Sequence, residues 1–356
     1  MSILVTGGAG YIGSHAVQRL LREGRRVVAL DNLYRGHAEA LERLAPAAGD
    51  RLTFVRADVG DRETVARVLR EHEVDAVMHF AALAYVGESV EQPLWYYQNN
   101  SAASLSLLQA IDDDWNARGD GVRRFIFSST CATYGEPSDQ YIPIPETCPQ
   151  HPINPYGYSK LHVEHMLADF AAMCRAKQRP FAHAALRYFN VAGADRTGVL
   201  GEHHEPETHL IPVVLQAALG RREAVTIFGE DYPTPDGTCI RDYVHVEDLI
   251  GAHVAVMKAL SDGEHRVYNL GIGRGYSVRE IIDSVRRVTG VPFTVRSGAR
   301  RAGDPPRLFA DPRKIASELG WRAEVTDLDK IVASAWSWYR ANPNGYERAG
   351  TAGRRA

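Results

Sequence analysis

The chain has 356 residues, with 41 Lys and Arg against 44 Asp and Glu and an apolar share of 45%. That near-neutral balance points to neither nucleic acid nor a membrane surface as a partner, and no apolar run approaches membrane-spanning length. Four cysteines, Cys131, Cys148, Cys174 and Cys239, show no C-x-x-C spacing and no paired histidine, which argues against a zinc site and a disulfide framework.

Met1 leads into "SILVTGG", which reads as a strand and not as a leader peptide, so the cytoplasm is the expected compartment. A helix is predicted from about Ile12 to Glu23, then strands over "RRVVALDN" and "LTFVRADV", a helix over "RETVARVLREHE" and a strand over "DAVMHFAA". A helix across "YYQNNSAASLSLLQAI", the strand "RRFIFSST", a helix from Tyr156 towards Lys177 and the strand "FAHAALRYFN" follow. Short apolar runs bounded by turns are the mark of strands covered on both faces. The predicted class is α/β, a doubly wound parallel sheet of Rossmann type with a smaller C-terminal α/β region. Residues 1–190 form the first unit, rejoined by about 241–270; 191–240 and 271–346 form the second, and 347–356 is a tail.

Gly7, Gly10 and Gly13 in "VTGGAGYIGSH" follow a strand and open a helix. Glycines there let the backbone approach a pyrophosphate, whose charge the helix N-terminus favours. Asp31 ends the second strand, where a carboxylate can accept from ribose hydroxyls and would repel a ribose phosphate, so NAD is expected over NADP. Asp58 closes "VRADV" and could meet the adenine, and "FAALA" after the fourth strand could lie against the cofactor.

In "NPYGYSK" Pro155 sits at a helix start, and Tyr156 and Lys160 share one helix face at i and i+4. A tyrosine of ordinary pKa about 10 is a poor base at neutral pH. A neighbouring ammonium and a cationic nicotinamide ring would lower that value. Ser128, Ser129 and Thr130 end the fifth strand, at the sheet edge where such folds bind ligands.

These residues resemble the extended short-chain dehydrogenase/reductase superfamily. The stretches "DNLYRGH", "VGESVEQPLWYYQNN", "NPYGYSKLHVE", "LRYFNVAGAD", "IFGEDYPTPDGTCIRDYVHVEDL" and "RRAGD" resemble, within it, the UDP-glucose 4-epimerase family, over about Ser2 to Tyr346. Related sugar 4,6-dehydratases place an acidic pair after the strand-end threonine. Here Cys131 and Ala132 follow Thr130, which favours epimerisation.

The resemblance implies oxidation of the sugar at C4 by tightly held NAD, rotation of the 4-keto sugar and hydride return to the other face. It implies Tyr156 as proton acceptor, Thr130 as hydrogen-bond partner of the C4 oxygen and Lys160 on the nicotinamide ribose, holding the phenolate's pKa down. The implied cofactor positions are Gly7, Gly10, Tyr11, Ile12, Gly13, Asp31, Asn32, Asp58, Val59, Phe80, Ala81, Ala82, Asn99, Tyr156, Lys160 and Tyr188. The implied substrate positions are Thr130, Tyr156, Asn190, His209, Leu210, Phe228, Arg241, Arg301 and Asp304. A UDP-sugar and a second copy of the chain are the implied partners, with the helices over "YYQNNSAASLSLLQAI" and "YGYSKLHVEHMLADFAAM" as candidate contact surfaces.

The chain departs from the family pattern in three places. Ala84 replaces a lysine that holds NAD's diphosphate in some members, His209 replaces an asparagine, and Leu308 lies where residue size gates bulky sugars. Hexose, N-acetylhexosamine and pentose all stay open, as do a net reductase and an NAD-sensing protein. His203, His204 and His209 with Glu202, Glu205 and Glu207 invite a metal reading, but the Gly/Pro setting is loop-like and no metal is expected.

Overall fold

Six strands from the first half and one from the second make a single seven-stranded sheet in the computed structural model, which describes residues 2–301 and 304–346. The first six are β1 (Ser2–Thr6), β2 (Arg26–Asp31), β3 (Leu52–Arg56), β4 (Val74–His79), β5 (Arg124–Thr130) and β6 (Ala182–Tyr188). The seventh is His265–Leu270, so the order across the sheet is His265–Leu270, β6, β5, β4, β1, β2, β3. Every neighbouring pair is parallel.

Successive strand residues point to opposite faces, and the apolar runs divide accordingly. Ile3, Val5, Val27 and Ala29 face one core, with the helices Tyr11–Arg22 and Val246–Ala259; Leu4, Val28 and Leu30 face the other, with Arg62–Glu71, Ala103–Arg118 and Pro155–Ala176. A one-residue register slip would exchange the two sets, so the paired cores fix the alignment. Truncating Leu4 or Leu20, both fully buried, to alanine should cost about 2–5 kcal/mol. The edge strand β3 is only partly covered.

The second half is built from smaller pieces. Asn190–Ala192 pairs with Tyr243–His245, Ala224–Phe228 pairs with Thr294–Gly298, and Ile240–Arg241 lies between Tyr276–Ser277 and Arg307–Leu308. The tail 347–356 lies outside the described residues. No helix among the described residues is long and apolar enough to cross a membrane.

The helix predicted across Tyr96 to Ile111 is three pieces: Pro93–Tyr96, a π turn at Tyr97–Ala102, and Ala103–Arg118, which ends at Gly119 in the left-handed region. The wide turn coincides with Asn100 facing inward, and such turns gather at functional sites.

Candidate active site

The loop between β1 and the helix Tyr11–Arg22 has no room for side chains. Gly7 has φ 69°, and a Cβ there would stand 2.7 Å from the Ala81 nitrogen; one at Gly13 would stand 2.0 Å from the Gly7 carbonyl oxygen. No side chain caps this helix at Gly10, and its first turn carries no acidic residue. The leading amides and their partial positive charge are thus left for an anion.

Asp31 is buried at the end of β2, and its carboxylate accepts from the Ala9 amide at 3.0 Å and the Leu33 amide at 2.8 Å. Burial raises its pKa against the pull of those amides. Two bonds leave acceptor capacity on the carboxylate. Asn32 donates to Asp58 at 2.7 Å, and Asp58 also accepts from the Gly60 amide at 2.7 Å. Val59 is buried, the Phe80 ring packs against His253, and Ala81 lies against Gly7.

Asn154 caps the helix Pro155–Ala176 by accepting from the Gly157 amide at 2.9 Å, with Pro155 at its first position. A Cβ on Gly157 would lie 2.5 Å from the Ala132 carbonyl oxygen, so the helix start sits hard against the turn after β5. That contact brings Tyr156 close enough to Thr130 for its hydroxyl to act on the phenol. Lys160 is buried and donates to the Ser128 carbonyl at 2.8 Å, while Ser128 and Tyr188 hydrogen-bond through their hydroxyls.

Burial pushes the Tyr156 phenol well above its ordinary value, with Tyr188 adding to the rise and Thr130 opposing it. Lys160 is itself pulled down to about 7 by burial, and its ammonium is turned to the Ser128 carbonyl. Desolvation therefore outweighs the cation in this arrangement.

On the other side of the site, Arg241 pairs with Asp304, and the Arg301 guanidinium lies 4.0 Å above the half-exposed Phe228 ring. Leu308 is the cross-strand partner of Arg241. Arg241 also acts electrostatically on Cys131, the residue after Thr130, which ties this cluster to the end of β5. Asn190 bonds through its backbone to Asp242, next to Arg241.

A model of the NAD dependent epimerase/dehydratase family matches residues 3–271. The chain belongs to that family. It is 46% identical to the UDP-glucose 4-epimerase of Halalkalibacterium halodurans over 97% of its own length and 98% of that protein. It is also 46% identical to the probable UDP-arabinose 4-epimerase 3 of Oryza sativa, covering 97% of this chain and 83% of the other. A crystal structure of UDP-glucose 4-epimerase from Bifidobacterium longum in complex with NAD+ and UDP superposes with a TM-score of 0.89 at 41% identity, covering 97% and 100% of the two chains.

In this epimerase/dehydratase chain the Nδ1 of His209 faces Glu202 and Glu207 at 3.2 and 3.0 Å. Leu210 follows it as the first residue of the helix Leu210–Ala218. The stretch thought too loop-like for defined geometry brings Glu202, His204, Glu207 and His209 together; His203 instead stacks on His37, and Glu205 is exposed.

Sequence reasoning missed Asn100. Its amide bridges both backbone groups of Leu83, in the loop after β4, and the Ser159 hydroxyl beside Lys160. Neighbouring Asn99 donates to it at 3.0 Å. The signal was available, since two adjacent asparagines are poor helix formers inside a helical pattern. Also missed was Glu164, which accepts from Ser129 and pairs with Arg187 inside the fold.

Proposed function

We propose that the chain is an NAD-dependent nucleotide-sugar 4-epimerase that interconverts UDP-glucose and UDP-galactose. The observation that carries this reading is the seating of the helix bearing Tyr156 and Lys160 on the carboxyl end of β5, with Gly157 against the Ala132 carbonyl and Lys160 donating to the Ser128 carbonyl at 2.8 Å.

The glycine loop fits a dinucleotide: Gly7 and Gly13 admit no Cβ, the helix start is uncapped, and Asp31 retains acceptor capacity for ribose hydroxyls. Tyr11, Ile12, Asn32, Asp58 and Val59 would line the adenosine half. Phe80, Ala81, Ala82, Asn99, Lys160 and Tyr188 would hold the nicotinamide half. Bound NAD supplies a reversible hydride acceptor for C4 of the sugar and a positive ring charge that offsets the desolvation of Tyr156.

Tyr156 takes the proton from the C4 hydroxyl while Thr130 holds that oxygen. Cys131, pushed up to about 12 by burial, and Ala132 offer no acid or base for elimination, which separates this reading from a dehydratase. Arg241 and Arg301 serve the diphosphate and uridine together with Asn190, Leu210, Phe228 and Asp304. Anchoring the nucleotide and leaving the hexose loosely held lets the ketone turn and present its other face.

Val90, Leu94, Leu105 and Tyr158 are exposed apolar side chains on one helical layer, and this supports a homodimer through that surface. The compartment that fits the composition is the cytoplasm.

Proton NMR of the protein with UDP-galactose, UDP-N-acetylgalactosamine and UDP-xylose, with and without added NAD, tests the reading. A UDP-galactose and UDP-glucose mixture without net NADH is expected. The resemblance to plant UDP-arabinose 4-epimerases makes the pentose the second candidate, and turnover of UDP-xylose alone would move the substrate assignment there. No epimer from any of the three would overturn the proposal.

A further inference from the structure

Beyond the proposed reaction, one buried cluster has the donors and spacing of a metal site. Glu202, His204, Glu207 and His209 each offer one ligand atom, and these four atoms lie within 4.8 Å of one another. His204 Nδ1 is 3.4 Å from a carboxylate oxygen of Glu202 and 3.4 Å from one of Glu207. His209 Nδ1 is 3.2 and 3.0 Å from the same two carboxylates. A tetrahedral zinc ion with bonds of about 2.0–2.1 Å separates its ligand atoms by roughly 3.3–3.4 Å. Three of the distances, His204 to Glu202 and to Glu207 Oε2 and His209 to Glu202, lie near that value, while the fourth is a hydrogen-bond contact of His209 Nδ1 with Glu207 Oε1.

Two buried atoms in the cluster lack hydrogen-bond partners, His204 Nδ1 and Glu207 Oε2. Glu207 has a side chain only 2% exposed, so its free oxygen cannot be satisfied by bulk water. Its other oxygen accepts from the backbone amides of Thr208 and His209, both at 2.8 Å, and lies 3.0 Å from His209 Nδ1. Such a bond outside the coordination sphere orients a ligating carboxylate.

Charge points the same way. Glu202 and Glu207 are both buried, and among the described residues no lysine or arginine lies within ion-pair distance of either carboxylate. Two carboxylates in one dry site call for a cation or a proton between them. A proton on His204 would supply one charge, and the two carboxylates do push that imidazole up to about 10 against burial. Yet His204 Nδ1 stands equidistant from both carboxylates and hydrogen-bonds neither, a placement suited to coordination of a common centre and not to a proton shared along one N–O axis.

We propose that Glu202, His204, Glu207 and His209 form a structural site for a first-row divalent ion, Zn(II) by donor set and number. Two imidazoles and two carboxylates fill four positions, leaving no open place for substrate, as structural sites require. The His204 ring meets Tyr11 and Tyr85 edge-on at 6.2 and 6.1 Å, and His209 meets Tyr85 at 5.8 Å. Tyr11 begins the helix after the glycine loop, Tyr85 follows the loop after β4, and His209 precedes the helix Leu210–Ala218. The ion pins the 201–209 segment between the nucleotide-binding loop and the substrate side.

The test is metal stoichiometry of the untagged full chain, desalted in metal-free buffer, before and after incubation with ZnCl2. About one zinc per chain is expected, and less than a tenth of an equivalent after loading would overturn the site. Cobalt(II) substituted into the wild-type protein should give the visible bands of a tetrahedral site, and these should vanish in His204→Gln and Glu207→Gln. Bands that persist unchanged in both folded variants would place the metal on other histidines and overturn the assignment. Should either variant fail to fold, the wild-type stoichiometry and cobalt spectrum decide alone. A chelator should lower the melting temperature of the wild type, because an ion bound only to the folded state stabilises it. These readouts do not depend on turnover, so they stand apart from the epimerase assignment.

Discussion

The two sides of the site are built by different means. On the nucleotide side, backbone sterics place everything: Gly7 and Gly13 press against Ala81 and each other, and the helix Pro155–Ala176 rests on the turn after β5 through Gly157. On the opposite side, short strands of two to five residues present side chains that hold one another, Arg241 to Asp304 and Arg301 over Phe228. A site organised by backbone contact should fail abruptly when disturbed. One organised by partly buried side-chain pairs should weaken by degrees.

The largest effect is expected at the phenol. Tyr156→Phe should lower kcat by about 100- to 10,000-fold, the range general acid–base catalysis contributes, while cofactor content and unfolding midpoint stay at wild-type values. A variant that kept its turnover would remove Tyr156 from the mechanism. Next comes Gly13→Ala, whose methyl would meet the Gly7 carbonyl oxygen at 2.0 Å. Overpacking of this kind costs about 1–3 kcal/mol, and urea unfolding together with NAD content after gel filtration should both fall. Retention of cofactor with normal stability would break the claim that the backbone shapes this side.

Arg241→Ala tests the other side. Loss of a charged hydrogen-bond donor to the diphosphate is worth about 1.5–3 kcal/mol, so KM for the UDP-sugar should rise roughly 10- to 100-fold with kcat changed little. A collapse of kcat at constant KM would mean that Arg241 acts at the reacting centre. Leu308 is its cross-strand neighbour and is buried, so resizing it should act on sugar choice. Leu308→Ser is expected to raise the ratio of UDP-N-acetylgalactosamine to UDP-galactose turnover by about 10-fold, in the range that pocket methylenes contribute. An unchanged ratio would remove Leu308 as a gate.

The same division explains what the sequence could reveal. Strands buried on both faces announce themselves by local apolar runs, and Val27 to Leu30 are readable without knowing what covers them. The cap at Asn154 and the spacing of Tyr156 and Lys160 are likewise local. Partners brought in from elsewhere were not legible. Asn100 reaches Leu83 and Ser159 through a π turn that no periodicity marks, whereas the return of His265–Leu270 to the sheet beside β6 was announced by its apolar run. Glu202 to His209 were visible as a cluster, but their convergence depends on an irregular backbone path that composition does not encode.

The last expected effect is a pH dependence and concerns the buried ammonium. Lys160 lies on the backbone-organised side, and burial alone pulls its pKa down to about 7 from the ordinary 10.5. Between those values the unfolded chain holds a proton that the folded chain has released, so the stability difference rises with pH across that window. Below about pH 7 both states are charged and the burial cost is felt in full; above about 10.5 both are neutral and it is gone. Lys160→Met has no such proton. The wild type should therefore gain stability relative to Lys160→Met as pH rises from 7 to 10, measured as the difference in urea midpoints at pH 7, 8.5 and 10. A pH-independent difference would mean that the Ser128 carbonyl, 2.8 Å away, holds the charge well enough to cancel its desolvation. Lys160 would then be an ordinary ammonium, able to face the phenolate as a full positive charge at every working pH.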